Sequence, residues 1–403
     1  MSYIRETIET EIKKQCDVLV AGGGVAGIAS ALAAARNGAK VLLLEREYML
    51  GGLATAGLVT IYLPLCDGMG RQVSFGIAEE LLRLSITDNC IEDKNPIHWL
   101  SEYDAKTRAE SERFEVQFNA QMFAISAERL FLQNGVEILY GTVCCAADVT
   151  DSKITAVMCE NKSGRFAISV KSVVDCTGDA DCCRAAGADT ALFGAGNVLA
   201  AWHYSYSDSE KYRLRMRGAA DIPDSVKGQV NYEDKLSDRR FSGIDGDELS
   251  EQVQMAHEII FNDVMKNRKT DKSYVPVTIA TIPQIRMTRR ICGVSTLDIS
   301  EMHTRFDDSI GMVSDWRRRG PVWEVPFGTL YGGKIRNLIT AGRCTSVTDD
   351  MWDVMRVIPC CAVTGQAAGT AAAMTDDFAS LDVSELQARL VSGGVVLHES
   401  ELD

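Results

Sequence analysis

The stretch from residue 16 to residue 52 constrains the fold more than any other part of the chain. Residues 17–21 are short and apolar, which predicts a buried parallel strand. Gly22, Gly24 and Gly27 follow with the spacing G-x-G-x-x-G. The first glycine permits a tight turn, the second lets a pyrophosphate approach the backbone, and the third lets the next helix pack closely against the strand.

The residues after this turn complete a dinucleotide-binding unit. Residues 26–37 are mostly small and apolar, which predicts a helix, and Gly38 suits its C-terminal end. A second apolar strand at residues 41–44 leads into Glu45, whose carboxylate can accept hydrogen bonds from both ribose hydroxyls. Because strand, turn, helix, strand and acid occur in this order, an accidental glycine-rich loop is the weaker interpretation.

A second glycine pair, Gly51 and Gly52, follows Glu45 after five residues. This extended pattern resembles the FAD-binding fingerprint of the large flavoprotein superfamily with two dinucleotide-binding domains. Three further stretches, 172–188, 282–302 and 337–372, are similar to the FAD-dependent oxidoreductases often described as fumarate-reductase-like flavoproteins. The resemblance covers most of the chain and is strongest at both ends.

The resemblance implies non-covalently bound FAD and an oxidoreductase activity. In such flavoproteins the turn at residues 176–179 lies near the diphosphate, and a late alanine-rich helix, residues 363–374 here, points its N-terminus at the flavin, with Pro359 at its entry. Motif and resemblance together assign the FAD contacts to Gly22, Gly24, Val25, Ala26, Gly27, Glu45, Arg46, Gly51, Gly52, Leu53, Ala54, Thr55, Val143, Thr177, Gly178, Asp179, Gly342, Arg343, Val357, Gly365, Gln366 and Ala367.

The expected fold class is α/β. A Rossmann-like FAD-binding domain, with a parallel sheet, helices on both faces and a β-hairpin or meander, carries an inserted α+β substrate domain. We expect the FAD-binding domain at 12–62, 118–196 and 330–376, the inserted domain at 63–117 and 197–329, and a helical tail at 377–403. Within these ranges we expect helices at 79–85 and 120–133, a hairpin of 153–160 with 165–170, and a polar insertion at 89–115 that contains Trp99.

Some local expectations depend on single patterns. Ile4, Ile8 and Ile12 have helical spacing, which predicts a short N-terminal helix. The helix at 120–133 is expected to bury Met122, Phe123, Ile125 and Leu130. Asp349, Asp350 and Trp352 are expected in a loop near the flavin.

Composition excludes several classes of function. A net charge of −14 argues against a nucleic acid or an anionic membrane as partner. No uncharged apolar run reaches about 18 residues, so no membrane span is expected. The thirteen cysteines, with no export signal before them, indicate a reducing cytoplasm. Neither cysteines nor histidines are clustered like metal ligands, so no metal site is expected.

Arginines are concentrated in the inserted region and reverse the sign of charge locally. A carboxylated substrate would account for them, since arginine binds carboxylates in a bidentate manner; surface and interdomain ion pairs are the alternative. Arg286 and Arg289 are the best catalytic candidates, followed by Arg343 and Arg356. His203, or else His303, is a candidate general base. The pairs Cys144–Cys145, Cys182–Cys183 and Cys360–Cys361 lack the spacing of disulfide reductases, which favours a packing role.

These observations predict an enzyme in which flavin N5 exchanges a hydride with a small, polar, anionic organic substrate. No second G-x-G-x-x-G follows a strand, so electrons are expected to reach an external donor or acceptor. The alternative is a flavin-holding electron-transfer subunit without its own substrate site. Substrate identity, reaction direction, redox partner and homo-oligomer formation stay open.

Overall fold

The computed structural model describes residues 3–87, 115–218 and 236–402. The polar stretch 89–115, with Trp99, lies outside the described residues except for Glu115. The strands are β1 Ile12–Ala21, β2 Val41–Leu44, β3 Ile61–Tyr62, β4 Val116–Gln117, β5 Glu137–Leu139, β6 Val143–Thr150, β7 Lys153–Asn161, β8 Gly164–Asp175, β9 Thr190–Leu192, β10 Ala201–Ser207, β11 Lys211–Arg217, β12 Val275–Ile279, β13 Arg289–Ile291, β14 Ser309–Ser314, β15 Val322–Pro326 and β16 Leu338–Thr340.

Eight α-helices are found in the described ranges, and several begin at a residue whose side chain caps the helix. Asn119 and Asp245 each cap the helix that follows them with a side-chain oxygen. The helices are α1 Val25–Arg36, α2 Ile77–Ile86, α3 Ala120–Gln133, α4 Asp181–Ala185, α5 Gly246–Asn267, α6 Asp349–Met355, α7 Ile358–Met374 and α8 Val383–Ser392.

The main sheet is parallel at its centre and confirms the expected fold class. β1 pairs in parallel with β2 and β8, β2 pairs with β5, and β16 pairs with β8. β8 is long enough to serve two purposes, because its first half also forms the antiparallel meander with β7 and β6. The predicted hairpin is therefore present, and β8 continues beyond it to Asp175.

Alternate residues of β1 face two different layers. Val18 and Val20 pack in the core that contains α1, α3 and α7, whereas Leu19 and Ala21 pack with α4 and the meander. Helix α1 is so rich in alanine and glycine that α7 can lie directly against it. Because β1, β8 and β16 are parallel, their carboxyl ends lie at the same edge of the sheet. Ligands bind at this edge in open α/β folds.

A second body is built from β10, β11, β12 and α5. Its three strands form a separate antiparallel sheet in the order β11–β10–β12. Its own apolar cluster includes Phe241, Ile260, Val264, Tyr274 and Ile285. By contrast, α2, β14 and β15 contribute to the same apolar cluster as α1 and α7, so part of the expected inserted ranges shares the FAD-side core.

Three local expectations were wrong. Residues 3–11 form no helix, and Ile4 and Ile8 are 92% and 52% exposed, because a helix with no surface to cover gains no packing energy. Met122 and Ile125 are exposed; the buried stripe of α3 contains Phe123 and Phe131.

The third concerns residues 349–352, which begin helix α6 instead of forming a loop. Two acids in the first turn suit a helix N-terminus, and Trp352 is buried with its Nε1 donating to the carbonyl oxygen of Arg343 at 2.9 Å.

Candidate functional site

The glycine turn between β1 and α1 opens one end of a cavity of about 1270 Å³, called here the central cavity. A Cβ on Gly22, at φ +101°, would lie 2.4 Å from the carbonyl oxygen of Cys176, and one on Gly27 would lie 1.8 Å from that of Gly22. A Cβ on Gly24 would meet nothing within 4 Å. Gly22 and Gly27 are therefore required by packing, whereas Gly24 leaves room for a ligand.

Glu45 lies in the wall of the central cavity at the end of β2 and is only 6% exposed. Its Oε2 accepts a hydrogen bond from the backbone N–H of Gly23 at 2.7 Å, and its Oε1 accepts one from that of Glu47 at 2.8 Å. Burial raises the pKa of Glu45, and these two hydrogen bonds oppose the rise in part. The carboxylate is thus fixed in direction, and its oxygens retain lone pairs for a ligand.

The turn after β8 forms the next part of the wall. Asp175 holds it, since its carboxylate accepts hydrogen bonds from the Thr177 hydroxyl at 2.7 Å and the Cys183 N–H at 2.9 Å. Gly178 has φ +83°, and a Cβ there would lie 2.3 Å from Nη2 of Arg343. Arg343 lies 3.3 Å from Asp179 and so joins this turn to the one after β16.

The N-terminus of α7 meets the same cavity. Val357 and Ile358 line it, and no side chain caps the helix there. Pro359 lies in the first turn, as the sequence predicted. An uncapped helix N-terminus attracts negative charge through its free N–H groups and its dipole.

Two arginines in the cavity wall are stacked on tryptophans. The guanidinium of Arg286 lies 4.9 Å from the ring centre of Trp202, and that of Arg356 lies 5.7 Å from that of Trp316. Arg356 is also paired with the buried carboxylate of Asp353. The cavity wall therefore has the Arg286 guanidinium on the side of the second body and the ion pair of Arg356 and Asp353 beside α7.

A model of the family described as FAD dependent oxidoreductase matches residues 17–199 and 207–390, which is more than half of the chain. The chain belongs to this family. It is therefore an enzyme that uses FAD, as the motifs and the resemblance implied. Among curated proteins no sequence match is found.

Several solved structures align with this oxidoreductase at low identity. THI4 of Thermovibrio ammonificans is 16% identical, with 43% of this chain and 63% of that chain aligned at a TM-score of 0.31, so less than two thirds of its length is spanned. A 3-ketosteroid-Δ4-(5α)-dehydrogenase of Rhodococcus jostii RHA1 is 14% identical, with 90% and 98% aligned at 0.45. A flavocytochrome c3 fumarate reductase is 14% identical, with 90% and 79% aligned at 0.40.

The geometry of the oxidoreductase fits FAD. Space over Gly24, a buried acid after β2 and an uncapped helix N-terminus are the features that a dinucleotide with a flavin requires. The cavity wall contains the following residues that were assigned to FAD from the sequence: Gly22, Gly24, Val25, Ala26, Glu45, Arg46, Gly51, Gly52, Leu53, Ala54, Val143, Thr177, Gly178, Asp179, Gly342, Arg343 and Val357.

Five assigned residues lie behind the wall. Gly27 and Gly365 permit close packing, because a Cβ on Gly365 would lie 2.4 Å from the carbonyl oxygen of Ala26. Thr55 donates to the carbonyl oxygen of Leu50 at 2.6 Å. Gln366 accepts from the N–H of Ile77 at 2.7 Å, and Ala367 is buried in the core. These residues shape the site without lining the cavity.

His203 and Arg289 do not fit the catalytic roles expected of them. His203 follows Trp202 on β10, so its side chain points to the opposite face of the sheet, where it is fully buried with Nε2 3.8 Å from Asp263. Burial lowers the pKa of His203, against the effect of the Asp263 carboxylate. Arg289 donates to the carbonyl oxygen of Asp179 at 3.2 Å and lies outside the cavity lining, so it anchors β13 to the turn.

Other candidates are also explained by packing. His303 lies outside the cavity lining and binds Glu399 at 2.8 Å. Burial raises the pKa of Cys361 to about 12 and that of Cys360 well above its usual value, which disfavours thiolates.

In the described residues no group of three or more His, Cys, Asp or Glu side chains could hold a metal. No single described helix is long and apolar enough to cross a membrane. Helices α6 and α7 meet that length and apolarity only when they are taken together, and the chain bends by 91° between them.

Sequence reasoning missed several cavity residues. One of them is Asp181, which lines the cavity. Burial and the neighbouring carboxylates of Asp179 and Asp175 raise its pKa to about 6. Its charge therefore changes near neutral pH inside the cavity. The apolar residues of the wall could not be distinguished from core residues, because both have the same sequence pattern.

Proposed function

We propose that the oxidoreductase binds FAD non-covalently along the central cavity, with the pyrophosphate at Gly22 and Gly24 and the adenosine ribose at Glu45. The absence of a Cβ at Gly24 and the fixed direction of the Glu45 carboxylate support this placement. The turn at Thr177–Asp179 would then lie along the middle of the cofactor. The N-terminus of α7 would stabilise the negative charge of the reduced ring.

When bound, FAD exchanges a hydride with an organic molecule at N5 of its ring. The observation that carries the substrate proposal is the position of Arg286, which lies in the wall of the same cavity and is held against Trp202. A guanidinium at this place binds the carboxylate of a substrate and keeps it oriented toward the ring. We therefore propose an anionic organic substrate, with electrons exchanged with an external donor or acceptor.

A flavin-holding subunit without substrate chemistry is the weaker alternative. Such a subunit would need only an exposed flavin edge, whereas here the inserted body covers the cavity with residues of α5, β10 and the segment after β12. The described cysteines are all free thiols, which supports a reducing cytoplasm as the place of action.

The proposed reaction can be tested with the flavin as its own reporter. The protein is reduced anaerobically with dithionite and then mixed with unsaturated acids, ketones, quinones or dioxygen. We expect reoxidation by at least one unsaturated or keto acid, with a faster rate than for its amide. If quinones or dioxygen alone reoxidise the flavin, the electron-transfer alternative is correct.

Lysine in place of Arg286 should lower turnover, because the charge stays but the bidentate fork is lost. Flavin content, measured by absorbance, should stay constant. Arg289→Lys is the matched comparison, since Arg289 lies outside the cavity lining and should leave turnover on the acid nearly unchanged. Full turnover of Arg286→Lys would show that Arg286 is structural.

A further inference from the structure

The central cavity is large. Ligand cavities usually measure about 300–1,000 Å³, whereas this one measures about 1270 Å³. Besides the glycine turn and the α7 N-terminus, its lining includes residues of the second body.

The second body contributes more apolar than polar side chains to the cavity wall, the polar ones being Ser250, Gln254, Thr281 and Arg286. The apolar part is formed by side chains from three separate segments, β10, α5 and the loop after β12, and we call it the apolar wall. Its members are Trp202, Leu249, Val253, Ile282 and Ile285.

A further segment adds apolar side chains to the cavity lining. Val59, Ile61 and Leu63 line it from the segment that follows the second glycine pair. Each of the three is half-buried, so it retains surface for a ligand to cover.

Arg286 brings the one charge to this wall. Among cavity-lining residues of the second body, residues 197–218 and 236–286, it is the single ionised side chain. It is 5% exposed and fixed over Trp202. A second carboxylate placed along this wall would meet no cation there, which is unfavourable; the arginines Arg317, Arg343 and Arg356 line the cavity from outside the second body.

We propose that the substrate is a monocarboxylate with an extended apolar body, its carboxylate at Arg286 and its body along the apolar wall. This rests on the proposed function and departs from the small polar substrate expected from the sequence. Binding energy would come mainly from apolar area removed from water, and the carboxylate would fix orientation.

The test uses saturated acids as binding probes with the FAD-loaded protein. Binding is measured by the quenching of tryptophan fluorescence and by shifts of the flavin spectrum. We expect affinity to rise about fourfold per methylene from butanoate to octanoate. Octanoate should bind at least tenfold more tightly than octanol, and succinate should bind more weakly than octanoate. A flat series, or succinate as the tightest ligand, would overturn the proposal.

A variant in the wall separates specific binding from general hydrophobicity. Leu249→Asn keeps the side-chain size but adds an amide, and should weaken octanoate by roughly tenfold while butanoate changes little. Leu192→Asn is the matched control, because Leu192 is 56% exposed on β9 and outside the cavity lining. Equal effects of the two variants on octanoate would contradict the assigned wall.

Arg286→Lys distinguishes this inference from the function on which it rests. If it weakens every acid and the methylene series is flat, the anion site stands and the apolar substrate is wrong. If it changes no affinity while the series rises, the anion site is wrong and the apolar wall stands. We expect the rising series together with a loss of affinity for every acid in the variant.

Discussion

Glu45 shows how a single side chain can be prepared for a ligand by its own backbone. Two N–H groups, from Gly23 and Glu47, hold the carboxylate before any cofactor is present. The entropy of orienting the side chain is therefore lost on folding and not on binding. An acid in this position recognises ribose hydroxyls with little further cost.

Replacing Glu45 with Gln should lower FAD affinity by ~1–2 kcal/mol, the scale of a charged hydrogen bond. The amide also places N–H donors where two backbone N–H groups already point. Titration of apoprotein with FAD measures the loss, and Glu47→Gln is the control because Glu47 contributes only its backbone to this contact.

The same site predicts a pH effect on binding. The pKa of Glu45 is raised above its ordinary value of 4.5 by burial, so the carboxylate is protonated at a higher pH than an exposed glutamate. FAD affinity should therefore fall as the pH drops through this raised value. The decrease should be absent in Glu45→Gln; an unchanged profile would assign it to another group.

Residue-level roles were only partly accessible from the sequence. Gly22 and Glu45 could be predicted because their function depends on local geometry, which spacing encodes. Arg286 and Arg289 could not be separated, since they are three residues apart and only the tertiary structure puts one in the cavity wall and the other behind it. His203 was misjudged because nothing in the sequence says which face of β10 meets the cavity.

At the scale of elements, the contact between α1 and α7 determines how the FAD side is built. Gly365 and Gly369 lie one turn apart on α7 and meet the backbone of Ala26 and Ser30 on α1. The two helices approach closely because α7 has no Cβ at either of these two points. The many small residues of both helices permit this packing.

Gly369→Ala should destabilise this contact. Its Cβ would lie 2.0 Å from the carbonyl oxygen of Ser30, so the helices must separate, at a cost of ~1–3 kcal/mol typical of overpacking. Urea unfolding followed by circular dichroism measures the cost. The control is Gly246→Ala at the start of α5, where a Cβ meets nothing within 4 Å; a similar loss there would remove the explanation.

At the scale of the whole molecule, the central cavity joins segments that are far apart in the chain. Gly24, Thr177, Val357 and Arg286 come from four different elements and line one space. A ligand that touches all of them binds the folded state and not the unfolded chain. FAD should therefore stabilise the protein by mass action.

FAD at 100 times its dissociation constant should raise the free energy of unfolding by about 2.7 kcal/mol over the apoprotein.

Acid precipitation of the loaded protein should release yellow FAD into the supernatant, as expected of a cofactor held without a covalent bond to the chain. Flavin left in the pellet would point to Cys144, Cys176 or Cys361, the cysteines that line the cavity.

The pairing of β16 with β8 has a consequence for biosynthesis. The C-terminal half of β8 gains its parallel partner β16 only when residues 338–340 have been synthesised. Helix α7, at residues 358–374, is needed to complete the cavity wall and to cover the core at α1. A ribosome that has made only the first 330 residues therefore holds the glycine turn exposed and its apolar layers uncovered. We therefore expect FAD to bind only after nearly all of the chain has been synthesised. A shortage of riboflavin would then leave full-length protein without its cofactor and would not slow translation.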